Sequence, residues 1–309
     1  MKNTLSNLPL ISIVIPSRNE EEDIAITLDC ILAIDYPNKE IIVVDDSSDE
    51  TPAIVRGYAN RGVRLEHRDI NSNGCCGARN HGMKHSKGEI LVIMNADVRP
   101  GKDFLNRIIP HYENGADYLV VRSKAMNYNN IWGKLVASKE NQNVQFWDKN
   151  EWSEGFSCRR EVAEKVGYIP GDFPIKFCRD WMFGANLNKA GYKKHVDITI
   201  EINHLVPERL SAFWHERIWR GGFSAPSYFY FRQRNLLIIT MREVLKSIRS
   251  LFILLLIFPK LYEAIKLSKF SSNGFHDIGT LYLATCVETM ALTVGNYKGL
   301  LKLLSNKER

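Results

Sequence analysis

Short apolar runs and longer helical segments alternate along the N-terminal part of the chain. The apolar pattern predicts strands at residues 10–15, 40–44, 63–66 and 90–94, most of them buried on both faces. Helices are predicted between them at 21–33, 50–60 and 78–86, with residues 71–77 as a loop. These connections are too long for hairpins. The β-α-β-α-β-α-β pattern therefore predicts an α/β fold, with a mostly parallel sheet flanked by helices on both faces.

Polar side chains follow three of these strands directly. They are residues 17–20, then Asp45 and Asp46, then Asn95 and Asp97. The carboxyl ends of parallel strands share one edge of the sheet, and ligands bind at that edge in open α/β sheets. A carboxylate there can hold a divalent cation against a diphosphate. Alternatively, Asp97 only begins a turn. The chain contains neither GxGxxG nor GxxxxGK[ST], which argues against a dinucleotide fold or a P-loop.

The ordered set of motifs resembles the inverting family-2 glycosyltransferases of GT-A fold, the membrane-associated type that includes cellulose-synthase-like and lipid-linked-sugar enzymes. The matching segments are 13–20 (Ile-Val-Ile-Pro-Ser-Arg-Asn-Glu), 42–48 (Ile-Val-Val-Asp-Asp-Ser-Ser), 77–82 (Gly-Ala-Arg-Asn-His-Gly), 87–89 (Lys-Gly-Glu) and 95–97 (Asn-Ala-Asp). The resemblance implies a nucleotide-diphospho-sugar transferase fold for residues 1–206.

The resemblance also implies a nucleotide site at the sheet edge. Carboxylates suit base and ribose because they accept hydrogen bonds from N–H and hydroxyl groups. Two alternatives stay open: Arg79 can be a tie at a helix N-terminus, and Glu20 can cap the helix that follows. The nucleotide-binding residues that the resemblance implies are Pro16, Arg18, Glu20, Asp45, Asp46, Arg79, Asn95 and Ala96.

A divalent cation, Mn²⁺ or Mg²⁺, is the implied cofactor. Asn95-Ala96-Asp97 stands where the family has Asp-x-Asp, so an amide replaces the first carboxylate and one negative charge is lost. Asp97 is then the expected metal ligand. His204, which follows a predicted strand at 196–202, either completes the metal site or is structural.

Inverting transfer needs one base to deprotonate the acceptor hydroxyl. The resemblance puts Asp180 in that role, at the start of a helix. Arg179 replaces the usual acidic neighbour, and a cation there is expected to lower the pKa of Asp180. Asp180 can instead be a helix cap, and Trp181 can either stack on an acceptor sugar or pack in the core.

Two further segments are predicted to contact the reactants. Glu154 and Gly155 resemble the family segment that lines the donor sugar. Arg217, Trp219 and Arg220 approximate a Gln-x-x-Arg-Trp helix whose side chains face the acceptor and the diphosphate. The alternative for this helix is a solvated basic face.

The last third of the chain, residues 207–309, differs in charge and pattern. It carries 15 Lys and Arg against 7 Asp and Glu, whereas the part before it carries 26 against 28. Apolar windows at 251–258 and 278–295 lie beside basic and aromatic residues. This pattern predicts interfacial helices with one or two short or tilted membrane helices. A soluble helical appendage or a dimer interface is the alternative.

Cysteine usage and the first residues bear on the compartment. The six cysteines form no CxxC pair, which predicts reduced thiols and no zinc site. Residues 1–9 are polar and lack a signal-peptide core, so we expect a catalytic part at the cytoplasmic face of the cell membrane.

The sequence thus predicts an inverting hexosyltransferase that uses a GDP- or UDP-sugar and a hydroxyl or phosphate of a lipid-linked glycan acceptor. No nucleic-acid partner is expected, because no aromatic-basic sheet motif is present. The alternatives are a soluble glycosyltransferase for surface polysaccharide and a non-catalytic nucleotide-sugar-binding membrane protein.

Overall fold

A computed structural model describes residues 6–68, 74–171, 179–255 and 257–305. Their contacts group them into two compact units. The first comprises the described parts of Met1–Lys124, Phe146–Asp172 and Cys178–His204, and the second those of Ala125–Gln145 and Leu205–Arg309. The contact grouping thus adds an internal segment to the C-terminal part. The predicted division after residue 206 stays a prediction.

The strands form one eight-stranded sheet in the order β3-β2-β1-β4-β7-β6-β8-β5. Their bounds are β1 (Ile11–Ser17), β2 (Lys39–Asp45), β3 (Val63–His67), β4 (Ile90–Ile93), β5 (Val98–Pro100), β6 (Tyr118–Ala125), β7 (Phe156–Arg159) and β8 (Lys194–His204).

The N-terminal strands pair in parallel. β1 pairs in parallel with β2 and β4, and β2 with β3. This confirms the predicted β-α-β arrangement. The later pairs differ: β7 is antiparallel to β4 and β6, and β5 is antiparallel to β8. The sheet is therefore mixed, and the carboxyl ends of β1, β2 and β4 share one edge.

Twelve helices surround or follow these strands in the described residues. They are α1 (Ile24–Leu32), α2 (Thr51–Arg56), α3 (Gly74–His85), α4 (Phe104–Glu113), α5 (Ile131–Asn143), α6 (Arg160–Val166), α7 (Asp180–Lys189), α8 (Leu210–Gly221), the single turn α9 (Ser224–Pro226), α10 (Leu236–Leu255), α11 (Ile257–Ser268) and α12 (Ile278–Ser305).

Helix bounds depart from the sequence pattern in three places. The helix predicted at 21–33 begins only at Ile24, as α1. Residues 74–77, predicted as loop, form the first turn of α3, while residues 71–73 of that loop lie outside the described part. Cys76 is buried in this turn, so packing outweighs the poor helix propensity of its glycines. The helix predicted at 50–60 is split. α2 stops at Arg56, and a separate 3-10 turn, Ala59–Arg61, ends at Gly62 with a left-handed φ of 87°.

The sheet of the first unit is buried on both faces. Alternate residues of β1 point to opposite sides: Ile13 and Ile15 join one apolar cluster, and Val14 joins the other. α3 lies close against β1 and β2 because Gly82 has no side chain. A Cβ at Gly82 would overlap the Val14 side chain and lie 3.0 Å from Val44. This close approach fixes the height of α3 above the sheet edge.

α12 is the central helix of the second unit. It packs against α8, α11, α10 and α5, and its buried side includes Glu288 and Asn296. Among the described residues, the stretch Gly274–Ser305 has the length and apolar composition to cross a membrane, and 33% of its most apolar window is buried. The helix is therefore a candidate membrane anchor that also serves as a core helix.

α10 buries two polar residues and exposes several apolar ones. Glu243 and Ser247 are buried, and a carboxylate oxygen of Glu243 accepts a hydrogen bond from the Ser224 hydroxyl at 2.8 Å. The opposite side carries exposed apolar side chains, including those of Leu245 and Phe252, which are 63% and 59% exposed. A helix facing water has the reverse arrangement.

Candidate active site

The loops after β1 and β2 are tied to each other at the sheet edge. Asn19 adopts a left-handed φ of 57°, and its backbone N–H donates to the Ser47 hydroxyl at 2.8 Å. Its side-chain oxygen accepts from the Ser48 N–H at 3.0 Å. A short polar side chain tolerates this backbone conformation. Asn19 therefore acts here as a link between two loops, while α1 begins only at Ile24.

Asp45 and Asp46 are both buried and already hydrogen-bonded within the chain. Asp45 accepts from the hydroxyls of Ser17 at 2.7 Å and Ser47 at 2.6 Å. Asp46 accepts from Arg68, whose Nε lies 3.0 Å away and whose Nη2 bonds the second oxygen. Each oxygen has two lone pairs, so capacity for a ligand remains. Arg68 was not among the sequence-predicted residues, since only the fold brings it to this edge.

Arg79 connects two of the predicted catalytic segments. From α3, its Nη1 donates to Asp180 Oδ2 at 3.0 Å and its Nη2 to Asn95 Oδ1 at 2.8 Å. The side chain is buried. A planar guanidinium suits two acceptors side by side because its N–H groups are fixed in a fork. The fold therefore brings residues 79, 95 and 180 into one site.

Asp97 and His204 meet at the same edge. His204 Nε2 lies 3.2 Å from Asp97 Oδ2, where β8 pairs with β5. Asp97 Oδ1 is buried and has no hydrogen-bond partner among the described residues. A buried carboxylate oxygen left in this state is costly, and a cation is one natural partner for it. The structure thus brings together the two side chains that were predicted as metal ligands.

Two further carboxyl groups lie in the electrostatic field of Asp97. Burial, with the nearby charges of Asp97, Asp23 and Asp49, raises the pKa of Glu20 to about 8. Burial also raises the pKa of Glu154, and Asp97 and Asp180 add to that effect, while His204 and Arg79 oppose it. Clustered carboxyls resist ionising together. A cation bound among these carboxyls would favour their ionised forms.

Glu154 lies beside the amide that replaces the family carboxylate. Asn95 Nδ2 donates to Glu154 Oε1 at 3.0 Å. A carboxylate from another loop therefore stands next to the position where the motif lost one. Gly155 has a left-handed φ of 75°, and a Cβ there would lie 2.8 Å from the Ile202 side chain. Backbone conformation and packing are sufficient reasons for a glycine at this position.

Asp180 is the first residue of α7, and Arg179 precedes it. Asp180 Oδ1 accepts from the backbone N–H of Trp181 at 2.9 Å. Arg179 is buried, and its Nη1 donates to the Gly171 carbonyl at 2.9 Å. Arg79, from α3, is a cation in direct contact with Asp180. Trp181 is half-buried, so its stacking on an acceptor stays a prediction.

Trp152 is a site residue that the sequence did not single out. Its ring stacks on Phe156 at 4.5 Å, and the Arg79 guanidinium lies 5.3 Å from the ring centre. Its indole N–H is buried without a hydrogen-bond partner in the described part of the chain. A buried indole usually finds an acceptor. Trp152 thus offers a donor to a ligand, beside the guanidinium of the site.

The remaining predicted residues are placed as follows. Pro16 is half-buried in β1 and Arg18 is exposed in the loop after it, while Ala96 is buried and its carbonyl accepts from the Thr27 hydroxyl at 2.5 Å. In the first unit all three lie at or next to the carboxyl edge of the sheet. Their roles in nucleotide binding stay predictions.

Arg217, Trp219 and Arg220 lie on α8 in the second unit. Arg217 is buried, with its Nε 3.5 Å from Glu288, and burial lowers its pKa. Arg220 pairs with Glu216 at 2.6 Å, and Trp219 is half-exposed. These contacts give the two arginines partners inside the unit. Their contact with an acceptor or a diphosphate stays a prediction.

The sequence profile of glycosyl transferase family 2 matches residues 12–167, half of the chain. The chain belongs to glycosyl transferase family 2. The matched region contains β1 to β4, the motif at Asn95 to Asp97 and Glu154, and it ends before Asp180. The protein is accordingly a hexosyltransferase by family. This membership argues against the alternative of a non-catalytic protein.

Two curated relatives are similar over somewhat more than half of this chain. UDP-Glc:alpha-D-GlcNAc-diphosphoundecaprenol beta-1,3-glucosyltransferase WfgD of Escherichia coli is 26% identical over 58% of this chain and 70% of its own length. Beta-monoglucosyldiacylglycerol synthase of Trichormus variabilis is 30% identical over 55% of this chain and 36% of its own length. The chain thus spans about a third of the second relative.

The fold is also found among solved structures. The mannosyltransferase PcManGT from Pyrobaculum calidifontis, solved with GDP-Man and Mn²⁺, superposes with a TM-score of 0.60 at 20% identity, covering 95% of this chain and 88% of that one. At this identity the likeness shows the fold alone. The predicted GT-A fold, an α/β sheet with a C-terminal helical region, is confirmed.

Proposed function

We propose that this protein is an inverting glycosyltransferase that moves a hexose from a nucleotide-diphosphate sugar to a hydroxyl or phosphate of a lipid-linked glycan acceptor, with Asp180 as the general base. The observation that carries the proposal is the bridge from Arg79 to Asp180 and Asn95, at 3.0 and 2.8 Å. It joins the base position to the donor motif within one site. The family gives the reaction class, and the residue roles are part of the proposal.

In the proposed reaction, the acceptor oxygen attacks the anomeric carbon of the donor while the bond from that carbon to the diphosphate breaks. Asp180 Oδ2 takes the acceptor proton, and the nucleoside diphosphate leaves on the opposite face. Arg79 places a positive charge beside this carboxylate and orients it towards the acceptor. The other end of the guanidinium donates a hydrogen bond to Asn95. Arg79 therefore keeps Asp180 at a fixed position relative to the donor motif.

A divalent cation fits the donor set at Asp97. The fit rests on the unpartnered Oδ1 of Asp97, on the His204 imidazole 3.2 Å from its other oxygen, and on neighbouring carboxyls whose pKa values are raised by burial and, to a lesser degree, by one another's charge. Asp97 would hold the ion, with His204 as the second candidate ligand. Mn²⁺ or Mg²⁺ bound there supplies positive charge against the departing diphosphate.

The donor is a UDP- or GDP-sugar. WfgD has UDP-Glc in its name, while PcManGT was solved with GDP-Man and Mn²⁺, so relatives support both bases. Buried Asp45 and Asp46 at the end of β2 provide acceptors for a base and ribose. The choice between the two nucleotides is left to the binding assay below.

A lipid-linked acceptor is supported by the relatives and by α10. WfgD has diphosphoundecaprenol in its name, and the similar protein of Trichormus variabilis has diacylglycerol. α10 exposes an apolar side and buries Glu243 on the other side. This arrangement is expected of a helix that lies against a medium less polar than water, such as a lipid bilayer. Basic residues of the C-terminal part suit anionic headgroups. We place the enzyme at the cytoplasmic face of the cell membrane.

The test of the catalytic proposal compares binding with turnover. In a thermal-shift screen of UDP- and GDP-sugars with Mn²⁺ or EDTA, one donor is expected to stabilise the wild type only with metal. Asp97→Ala should abolish that shift. Asp180→Asn should keep it and lose transfer by about 10²-fold or more, which is the usual contribution of a general base. Asp103→Asn, at an exposed position before α4, is the matched control.

The contradicting results are specific. Transfer by Asp180→Asn at the wild-type rate would remove Asp180 as the base. A donor shift that is unaffected by EDTA and by Asp97→Ala would remove the metal from the proposal.

Membrane attachment is tested by flotation of the full chain with vesicles. We expect binding to vesicles containing anionic lipid, reduced when Leu245 and Phe252 on α10 are replaced by Gln, and kept in Ile26→Gln. Ile26 is an equally exposed apolar residue of α1, 52% exposed. Flotation by the α10 variant as efficient as that of the wild type would remove α10 as the attachment surface. A wild type that does not float would instead favour the soluble polysaccharide enzyme.

A further inference from the structure

A second group of metal-binding side chains lies on β3 and α3, apart from Asp97. Glu66 comes from the end of β3, and His81 and His85 lie four residues apart on α3. Their candidate ligand atoms all lie within 4.8 Å of one another. His81 Nε2 is 2.6 Å from Glu66 Oε2, and His85 Nδ1 is 3.2 Å from the same oxygen.

We propose that Glu66, His81 and His85 form a site for Zn²⁺ or a similar transition metal. Two histidines one turn apart on a helix present their imidazoles on one face, which is the spacing of helical zinc motifs. A carboxylate from a neighbouring element completes a three-ligand set, with the remaining position open to water. The expectation that the chain has no zinc site was based on cysteine spacing alone, and this set contains no cysteine.

The distances require only a small adjustment to admit the ion. Zinc bonds of about 2.0 to 2.2 Å in tetrahedral geometry put neighbouring ligand atoms roughly 3.3 to 3.5 Å apart. The nitrogens of His81 and His85 now lie closer than that to the Glu66 oxygen, at 2.6 and 3.2 Å. His85 Nδ1 also lies 3.0 Å from the His81 carbonyl oxygen, a contact that metal binding would replace. His85 is exposed and His81 half-buried, so both rings can shift outward. The main chains of β3 and α3 need not move.

The ligand types at this site favour Zn²⁺ over the Mg²⁺ or Mn²⁺ proposed at Asp97. Imidazole nitrogen suits Zn²⁺, whereas Mg²⁺ and Mn²⁺ prefer oxygen ligands of the kind that Asp97 offers. Arg64 lies next to the site: its Nη1 is 3.3 Å from Glu66 Oε1, the oxygen that the histidines do not contact, and its Nη2 donates to the His85 carbonyl at 2.8 Å. Arg64 therefore orients Glu66 and leaves Oε2 available, while its charge opposes a cation.

The position of the site gives it a consequence for the enzyme. His81 lies two residues after Arg79 on α3, and Arg79 bridges Asp180 and Asn95. An ion that links β3 to α3 would hold the helix that carries this bridge. The site is thus a positioning site for α3, and its occupancy does not depend on donor or acceptor.

A second histidine group in the first unit serves as a control. His111 Nδ1 lies 3.3 Å from His195, and its other nitrogen, Nε2, lies 3.0 Å from Asp197. Opposite nitrogens of one ring cannot bind the same ion. This group therefore has the same residue types as the proposed site but donors that do not converge.

The experiment is a zinc titration of the full-length protein by calorimetry, together with the Co²⁺ absorption spectrum. We expect one site per chain and a Co²⁺ spectrum typical of low coordination. His81→Ala and His85→Ala should each weaken binding by tenfold or more, whereas His111→Ala and Asp97→Ala should leave it unchanged. Arg64→Gln should tighten it several-fold, because it removes the opposing charge while the three ligands stay.

Two further measurements test whether zinc binds to a cysteine thiol instead, and whether a histidine variant loses binding only because it is misfolded. Cys75 is exposed on the same helix, and Cys75→Ser should bind zinc as the wild type does. Zinc should raise the Tm of the wild type and of Cys75→Ser, but not that of a folded His81→Ala, His85→Ala double variant. Zinc binding that survives in the double variant, or that is lost in Cys75→Ser or His111→Ala, would overturn the proposal.

Discussion

The close contact between α8 and α12 gives the sharpest stability prediction. Gly295 of α12 lies against the backbone of α8. A Cβ added there would be 2.9 Å from Gly221 Cα and closer still to the Ile218 carbonyl oxygen. Both obstacles are backbone atoms, so no side-chain rotation relieves the overlap. Gly295→Ala must therefore push the two helices apart.

The magnitude follows from two opposing effects. Replacing a helical glycine by alanine gains up to about 1 kcal/mol of helix propensity. Overpacking costs about 1 to 3 kcal/mol, and a backbone obstacle puts this substitution at the upper end. We expect Gly295→Ala to lose about 2 kcal/mol of unfolding free energy, since the steric cost exceeds the propensity gain.

Gly279→Ala is the matched control because it lies in the same helix with nothing within 4 Å of the added Cβ. Gly279→Ala should raise the unfolding free energy by up to about 1 kcal/mol. We expect a gain at the low end of this range, because residue 279 lies in the first turn of the helix. The two variants are compared by urea unfolding followed by circular dichroism. Hydrogen exchange of α12 amides separates this unit from the first, since two units need not unfold together. A Gly295→Ala protein as stable as Gly279→Ala would refute the close packing of α8 on α12.

Three further predictions concern the active site and the second unit. In the metal-free protein Glu20, with a pKa of about 8, binds its proton more tightly when folded. The unfolding free energy should therefore fall as pH rises from about 4.5 to 8, by about 2 to 3 kcal/mol after allowance for partial exposure. Glu20→Gln should flatten that slope in urea titrations, and an unchanged slope would contradict the assignment. Arg79→Lys should lower kcat/KM by tenfold or more with native circular dichroism, because an ammonium cannot bridge Asp180 and Asn95 as a fork does; wild-type kinetics would exclude the bridge. Glu288→Gln should destabilise the protein by about 3 kcal/mol, since it removes the nearest countercharge of Lys139 and Arg217 and leaves each with only a more distant carboxylate; a loss below 1 kcal/mol in urea unfolding would argue against the network.

Local pattern was sufficient for the parallel half of the fold. The apolar runs in β1, β2 and β4 predicted strands, and the length of the segments between them excluded hairpins. Parallel strands have their carboxyl ends together, so Asp45, Asn95 and Asp97 had to share an edge once the strands were recognised. The family resemblance then added Asp180, which does begin a helix. These statements depend on residue order alone, and for that reason the sequence contained them.

The partners of these residues were decided by tertiary structure. Arg79 and Asp180 are 101 positions apart, and Asn95 and Glu154 are 59 apart. Their meeting depends on how α7 and the loop before β7 pack, which has no periodic signal in the sequence. The antiparallel pairing of β7 with β4 and of β8 with β5 has the same origin, since the choice of strand neighbour is made by long-range packing.

For the faces of a helix, too, the sequence determines one part and the tertiary structure the other. The apolar spacing along α10 is visible in the sequence and predicts an amphipathic helix. Only the packed unit decides that Glu243 and Ser247 face inward and Leu245 and Phe252 outward. The sequence determines that a helix has two faces, because that follows from its 3.6-residue period. Which face is buried depends on the neighbours that the rest of the chain supplies.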